Sequence, residues 1–305
     1  MEDLALVVRS EIDVLTPHNL AEALEMLHQN DPELKVVAGG SDVIVQLRDG
    51  VLRASKLLNI LSLKELRYIR MTGGQIHIGA LTTYSDIIHH DLTRNHAWIL
   101  CDAAKQIGAV QLQNTATIGG NLGNASPAAD TLPPLYALDA TVVTRSKSGR
   151  RSTPIGEFFT GYRKTALKPD ELIEEICFDS LVTDDCGAYL KLGLREANAV
   201  SIVDVAVVLL RKTGDHKFGD VRVALGAVAP TIIRARKCEQ ALRPAGLIHS
   251  SLTEEDLWKA STLAADETTP ISDIRASAEY RRNVITSCVY QALYDAVFGR
   301  VDHHD

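Results

Sequence analysis

Residues 111–140 read QLQNTATIGGNLGNASPAADTLPPLYALDA, and residues 36–43 read VVAGGSDV. In both, a strand-like apolar stretch leads into paired glycines, Gly119-Gly120 in the longer segment and Gly39-Gly40 in the shorter. Glycine, and the asparagines Asn121 and Asn124 that follow, tolerate positive φ and let a main chain approach a ligand closely. Successive N–H groups pointing one way form a nest that holds a phosphate without a basic side chain. One such pair also reads as a tight turn. Two of them, each after an apolar run, predict a dinucleotide gripped from both sides. There is no G-x-G-x-x-G after a strand and no G-K-S/T, so neither familiar phosphate-binding frame applies.

With 305 residues, 46% of them apolar, and a mean hydropathy near zero, the chain suits two or three globular subdomains. No run approaches the roughly 18 uninterrupted apolar residues of a membrane span. The first residues include the acidic Glu2, Asp3 and Glu11 rather than a basic stretch before an apolar one, so a cytoplasmic location is expected. A formal charge of −7 argues against a nucleic-acid partner, which needs clustered Lys and Arg. Cys101, Cys177, Cys186, Cys238 and Cys288 lack C-x-x-C spacing, which suits a reducing compartment and predicts no cluster or metal here. His89-His90 and His303-His304 belong to no H-x-x-x-H or H-E-x-x-H motif. Ser126 lacks a G-x-S-x-G context, and no paired acid and base are legible, so no catalytic side chain is assigned.

Thr16-Pro17 ahead of Leu20, Leu24 and Leu27 predicts an N-capped helix stopped by Asn30-Asp31-Pro32. A short strand over 34–38 then feeds Gly39-Gly40. Residues 56–60 predict a strand, 67–71 and 76–81 a hairpin about Gly73-Gly74, and Thr83 a cap for a helix through Ile88. Leu100, Ala103, Ala104 and Ile107 predict a helix over 97–107. Past the central stretch, 141–144 and 152–155 flank a Ser148-Gly149 turn, and 172–178 read as a strand. The first domain is expected to span 1–180, in subdomains of about 1–60 and 61–180, with 183–186 as an acidic linker to a second domain at 185–300. There, 203–211 and 221–228 around Thr213-Gly214-Asp215 predict an antiparallel hairpin. Helical patterns follow at 232–242, 252–266 and 274–297, the last with Ile274, Ala278, Ile285, Cys288 and Ala292 near one face.

AGGSD at 38–42, ATIGGN at 116–121 and ASPAADTLPPLYALDA at 125–140 resemble the FAD-binding medium subunits of the molybdenum hydroxylases, the family of the carbon monoxide dehydrogenase, xanthine dehydrogenase and hydroxybenzoyl-CoA reductase types. FFTGYRKTALKPDELIEEI at 158–176 and RASAEYRRNVI at 275–285 extend the resemblance, in order, over nearly the whole chain. It implies an α+β protein: a two-part α/β FAD-binding domain of the PCMH, or vanillyl-alcohol-oxidase, type, and a smaller α+β C-terminal domain of antiparallel sheet and helices. The extra cysteine-bound cluster of the hydroxybenzoyl-CoA reductase branch has no cysteine-rich insertion to hold it here.

The resemblance places Val36, Val37, Ala38, Gly39, Gly40, Ser41, Asp42 and Val43 at the FAD, with Ala116, Thr117, Gly119, Gly120 and Asn121 on its other side. Asp42 is expected to cap or brace its loop, because its charge repels phosphate. Asp130 corresponds to a carboxylate on the ribose or adenine donors, and its position also suits an N-cap ahead of Leu132-Pro133-Pro134. Ser126 joins this set. Leu167 and Lys191 correspond to positions near the isoalloxazine, where a lysine would stabilise the reduced ring; Lys191 also reads as a solvated strand residue. Ile107 falls where some members carry an aromatic, and without that ring there is no stacking contact.

The resemblance implies an oxidoreductase subunit in a hetero-oligomer. A molybdopterin-binding large subunit would oxidise the substrate, a 2Fe-2S small subunit would pass on the electrons, and FAD in this chain would hand them to an acceptor such as NAD or a quinone. The rival readings are a stand-alone FAD oxidoreductase on the same flavin fold and a non-redox nucleotide-binding scaffold.

Overall fold

The computed structural model describes residues 12–211, 218–243 and 252–299. The Thr213-Gly214-Asp215 turn, the His303-His304 pair and the acidic residues Glu2, Asp3 and Glu11 lie outside these.

The chain opens with β1 (Asp13–Leu15), α1 (Leu20–His28), β2 (Leu34–Val37), α2 (Val43–Arg48) and β3 (Lys56–Asn59). The strands form a parallel sheet in the order β1-β3-β2. Helix α1 buries Ala23, Leu24 and Leu27 on the stripe its sequence predicts. Its cap is Asn19, whose side chain accepts from the Glu22 amide, rather than Thr16.

Next come β4 (Ile69–Thr72) and β5 (Gln75–Gly79), joined at Gly73 and Gly74 with φ of 60° and 82°. Helix α3 (Tyr84–His89) starts from a Thr83–Asp86 capping box, as predicted. Helices α4 (Asp91–His96), α5 (Trp98–Lys105), α6 (Val110–Thr115), α7 (Ile118–Asn124) and α8 (Leu132–Ala137) follow. Then β6 (Thr141–Ser146), β7 (Gly149–Pro154), α9 (Ile155–Phe158), a ribbon of β8 (Phe159–Gly161) and β9 (Lys164–Thr165), and β10 (Leu172–Asp179) complete an antiparallel sheet ordered β4-β5-β10-β6-β7.

The remaining strands, β11 (Cys186–Leu192), β12 (Val203–Arg211), β13 (Phe218–Gly226) and β14 (Ile233–Arg234), form a second antiparallel sheet in sequence order. Helices α10 (Arg236–Leu242), α11 (Glu254–Ala265) and α12 (Ala278–Phe298) pack on it. The predicted helix at 232–242 therefore starts late, because Ile233 pairs with Leu225 first. Ile274 stands 96% exposed, so the apolar face of the last helix begins only inside α12.

The two faces of this second sheet do different jobs, as the two-residue period of a strand requires. Val203, Val205, Val207 and Leu209 of β12 pack with α10, α11 and α12. Ala206 and Val208 join the core that contains α5 and α8. That second face packs the C-terminal sheet against α5 and α8.

Candidate functional site

Between the parallel sheet, the helices α6 and α7, and the loops of the C-terminal sheet lies a cleft of about 1550 Å³. It is larger than the roughly 300–1,000 Å³ of ordinary small-ligand pockets and suits an extended ligand. Every residue the sequence nominates lines it except Val37 and Lys191.

One wall grows out of β2. Val37 turns into the core, and the chain then bends at Gly40, whose φ of 74° is the conformation glycine accepts freely. Gly39 is required by a different contact: a Cβ there would collide with the carbonyl of Thr115, so the two glycine segments touch each other. The amides of Gly39, Gly40, Ser41, Asp42 and Val43 meet no acceptor among the described residues. Five successive amides at the cleft are thus left without a partner in the segment where the sequence expects a nest. Asp42 precedes α2 without capping it, which departs from the bracing role expected of it.

The opposite wall differs from expectation. The segment after Thr117 is not a positive-φ loop but the helix α7, with Thr117 as its N-cap. Its amides are already used: Ile118 donates to the Thr82 carbonyl at 3.0 Å, Gly119 to the Ala80 carbonyl at 2.9 Å, and Gly120 to Thr117 Oγ1 at 3.1 Å. Gly119 has no side chain because a Cβ would lie 2.6 Å from the Cβ of Ala80. This wall therefore offers shape and side chains rather than a second amide nest. Thr117 retains a hydroxyl proton to donate, and Asn121 Oδ1 is held by Thr131 Oγ1 at 2.8 Å.

Asp130 lines the cleft from the loop before α8. It caps nothing, since Thr131 occupies the N-cap position. Its Oδ2 accepts from Lys191 Nζ at 2.7 Å and its Oδ1 from Ser201 Oγ at 2.6 Å. Burial pushes its carboxyl above the ordinary value, while the Lys191 ammonium and the Ser201 hydroxyl pull the other way. Lys191 is no solvated strand residue: its side chain is 6% exposed, with a further bond to the Gln106 carbonyl at 3.0 Å. Register explains this, because Lys191 sits opposite Asp204 on the sheet face that packs against α8.

Ile107 and Leu167 pack at the edge of the core and present apolar surface to the cleft, and Ala116 and Ser126 complete its lining. Sequence reasoning missed Ser201, Gln46, Asn124 and Arg163. Asn124 Oδ1 accepts from Gln46 Nε2 at 2.9 Å and from Arg163 Nη1 at 3.3 Å, tying α2, α7 and the β8–β9 ribbon together. No local motif marks Ser201 or Gln46, and although Asn124 and Arg163 lie within the quoted stretches, nothing local shows that they meet, since each partner is distant in sequence. Among the described residues no group of His, Cys, Asp and Glu could hold a metal, and no helix is long and apolar enough to cross a membrane.

Residues 10–178 match the profile described as the FAD binding domain in molybdopterin dehydrogenase, and residues 188–296 match the carbon monoxide dehydrogenase flavoprotein C-terminal domain. The chain belongs to the family of FAD-binding subunits of the molybdenum hydroxylases. It is 37% identical to the nicotinate dehydrogenase FAD-subunit of Eubacterium barkeri, over 96% of this chain and 98% of that one. Against the xanthine dehydrogenase FAD-binding subunit of Escherichia coli O157:H7 the identity is 33%, over 91% and 93%. The structure of carbon monoxide dehydrogenase from Hydrogenophaga pseudoflava superimposes with a TM-score of 0.87 at 29% identity, covering 94% of this chain and 97% of that one. The resemblance read from the glycine segments, the α+β fold and the FAD cofactor are thus borne out. The molybdenum and iron–sulfur cofactors belong to subunits other than this one.

Proposed function

We propose that this chain is the electron-transfer subunit of a molybdopterin-dependent hydroxylase, taking electrons from the 2Fe-2S clusters of a small partner subunit and delivering them to an external acceptor such as NAD or a quinone. A large partner subunit would hold the molybdopterin and oxidise the substrate. The observation that carries the reading is the run of amides from Gly39 to Val43, without acceptors among the described residues, at a cleft of about 1550 Å³. Those donors suit a pyrophosphate, and the carboxylate of Asp130 suits ribose or adenine donors.

When bound, FAD supplies the redox chemistry, accepting electrons singly and releasing them as a pair. The chain's own residues bind and orient. Gly39, Gly40 and Ser41 present N–H groups, Thr117 and Asn121 present polar side chains from across the cleft, and Ile107 and Leu167 exclude water with apolar surface. Lys191 acts from behind Asp130, fixing its carboxylate. The proposed division runs from a flavin domain ending near Ser180 to a C-terminal domain beginning near Asp185, and the proposed location is cytoplasmic.

The test is a visible spectrum of the purified chain. Flavin bands that bleach on reduction, with FAD rather than FMN released on denaturation, support the reading; a colourless chain that takes up no FAD overturns it. The isolated chain should not hydroxylate substrate, and co-expression with the two partner subunits should yield a complex containing molybdenum and iron.

A further inference from the structure

Behind the cleft, on the buried face shared by β11 and β12, two carboxyl groups stand near one ammonium. Asp130 takes Lys191 Nζ on one oxygen and the Ser201 hydroxyl on the other. Asp204, 0% exposed, takes much less. Its Oδ2 accepts a long bond of 3.4 Å from the Tyr189 hydroxyl. Its Oδ1 has no hydrogen-bond partner among the described residues and lies against Gly226 so closely that a Cβ there would overlap it. Lys191 faces Asp204 across the strands, yet its ammonium is engaged by Asp130 and the Gln106 carbonyl.

We infer that Asp204 carries a proton in the folded protein at neutral pH and is a positioning residue for the cleft, leaving the Lys191 ammonium to Asp130. A buried carboxylate with one oxygen unpartnered and weak donors to the other neutralises rather than remain charged, and of two carboxyls sharing a site one keeps its proton. The surroundings agree from every side. Strand β11 presents Tyr189 and Lys191, β13 presents the bare backbone of Gly226, the segment before β12 presents Ser201, and the start of α8 presents Asp130 and Pro133. Burial, then the charge of Asp130, push the Asp204 carboxyl well above its ordinary value. With Asp204 uncharged, the Lys191–Asp130 pair is balanced. A second carboxylate would put excess negative charge behind a cleft that, on the proposed function, receives a pyrophosphate.

The test is the pH dependence of stability in the full-length chain and in Asp204→Asn, whose amide cannot ionise. Unfolded Asp204 releases its proton near 3.8, whereas the folded form keeps it. Unfolding then releases a proton, so the wild type loses stability as pH rises. Its unfolding constant relative to Asp204→Asn should climb by up to about tenfold per pH unit between about pH 5 and about pH 8. A flat ratio over that range overturns the inference. If Asp204→Asn does not fold, the infrared spectrum at neutral pH of the Asp130→Glu protein, which keeps a carboxylate at position 130 while leaving aspartate labelling blind to it, decides. A protonated-carboxyl stretch that moves on isotopic labelling of aspartate supports the assignment, and its absence refutes it. Neither measurement needs bound cofactor, so failure here is separable from failure of the flavin reading.

Discussion

The ammonium of Lys191 stands 2.7 Å from the carboxylate of Asp130, with side-chain exposures of 6% and 11%. This contact fastens the C-terminal sheet to the floor of the cleft. Breaking a buried pair from one side strands a charge, which costs about 3–5 kcal/mol. Lys191→Met should therefore lower stability by that order in urea unfolding. A double-mutant cycle with Asp130→Asn should show non-additivity above about 1 kcal/mol, and additive losses would mean the pair is not coupled.

The four glycines of the two segments should respond differently to alanine. At Gly39 and Gly119 a Cβ meets backbone, of Thr115 and Ala80 respectively, which cannot yield. These substitutions should cost about 1–3 kcal/mol or more. Gly40→Ala strains a left-handed residue by about 1–2 kcal/mol. At Gly120 the Cβ meets only the Thr117 hydroxyl, at 2.9 Å, so Gly120→Ala should stay within about 1 kcal/mol. Gly120→Val is expected to empty the flavin site, because a branched Cβ obstructs close approach. Thermal melts together with flavin occupancy separate the two classes.

Arg281, buried at 3% exposure, donates to the Ala227 carbonyl at 3.0 Å and to Asp273 at 2.9 Å. Burial pushes the Asp273 carboxyl up, but the amides of Arg275 and Ala276 and the guanidinium of Arg281 outweigh it and hold the group well below its ordinary value of 3.8. A lowered folded value means stability that is present above 3.8 and lost as the pH falls toward the folded value. The deficit of Asp273→Asn should be constant near neutrality and shrink in acid. A deficit independent of pH would rule out the charge as its source.

The thiols should fall into two groups. Cys101, Cys238 and Cys288 are buried, and burial pushes Cys288 up to about 11. Cys177 and Cys186 are half-buried. A thiol-reactive dye should label those two first in the native chain and reach the other three only on unfolding. Rapid labelling of Cys238 in folded protein would contradict the packing.

What one dimension carries is local. The capping residue Thr83, the Gly73-Gly74 turn and the apolar stripe of α1 were legible because each acts within a few residues. The paired glycines marked the cleft for the same reason. The role of each glycine was not legible: Gly39 is bare for the sake of Thr115 and Gly119 for the sake of Ala80, contacts between segments remote in sequence. Nor could local pattern tell that the 117–124 segment winds into a helix whose amides bond to Ala80 and Thr82.

By itself the sequence determined the family, several of the main helices and strands, and the two glycine segments at the heart of the cleft. Only the tertiary structure decided that the unpartnered amides lie on one wall, that Lys191 is buried behind Asp130, and that Asp204 is buried with no partner for its Oδ1 among the described residues. Propensity and turn chemistry act between neighbours in the chain. The charge state of a side chain depends on which groups the packed sheets and helices bring against it.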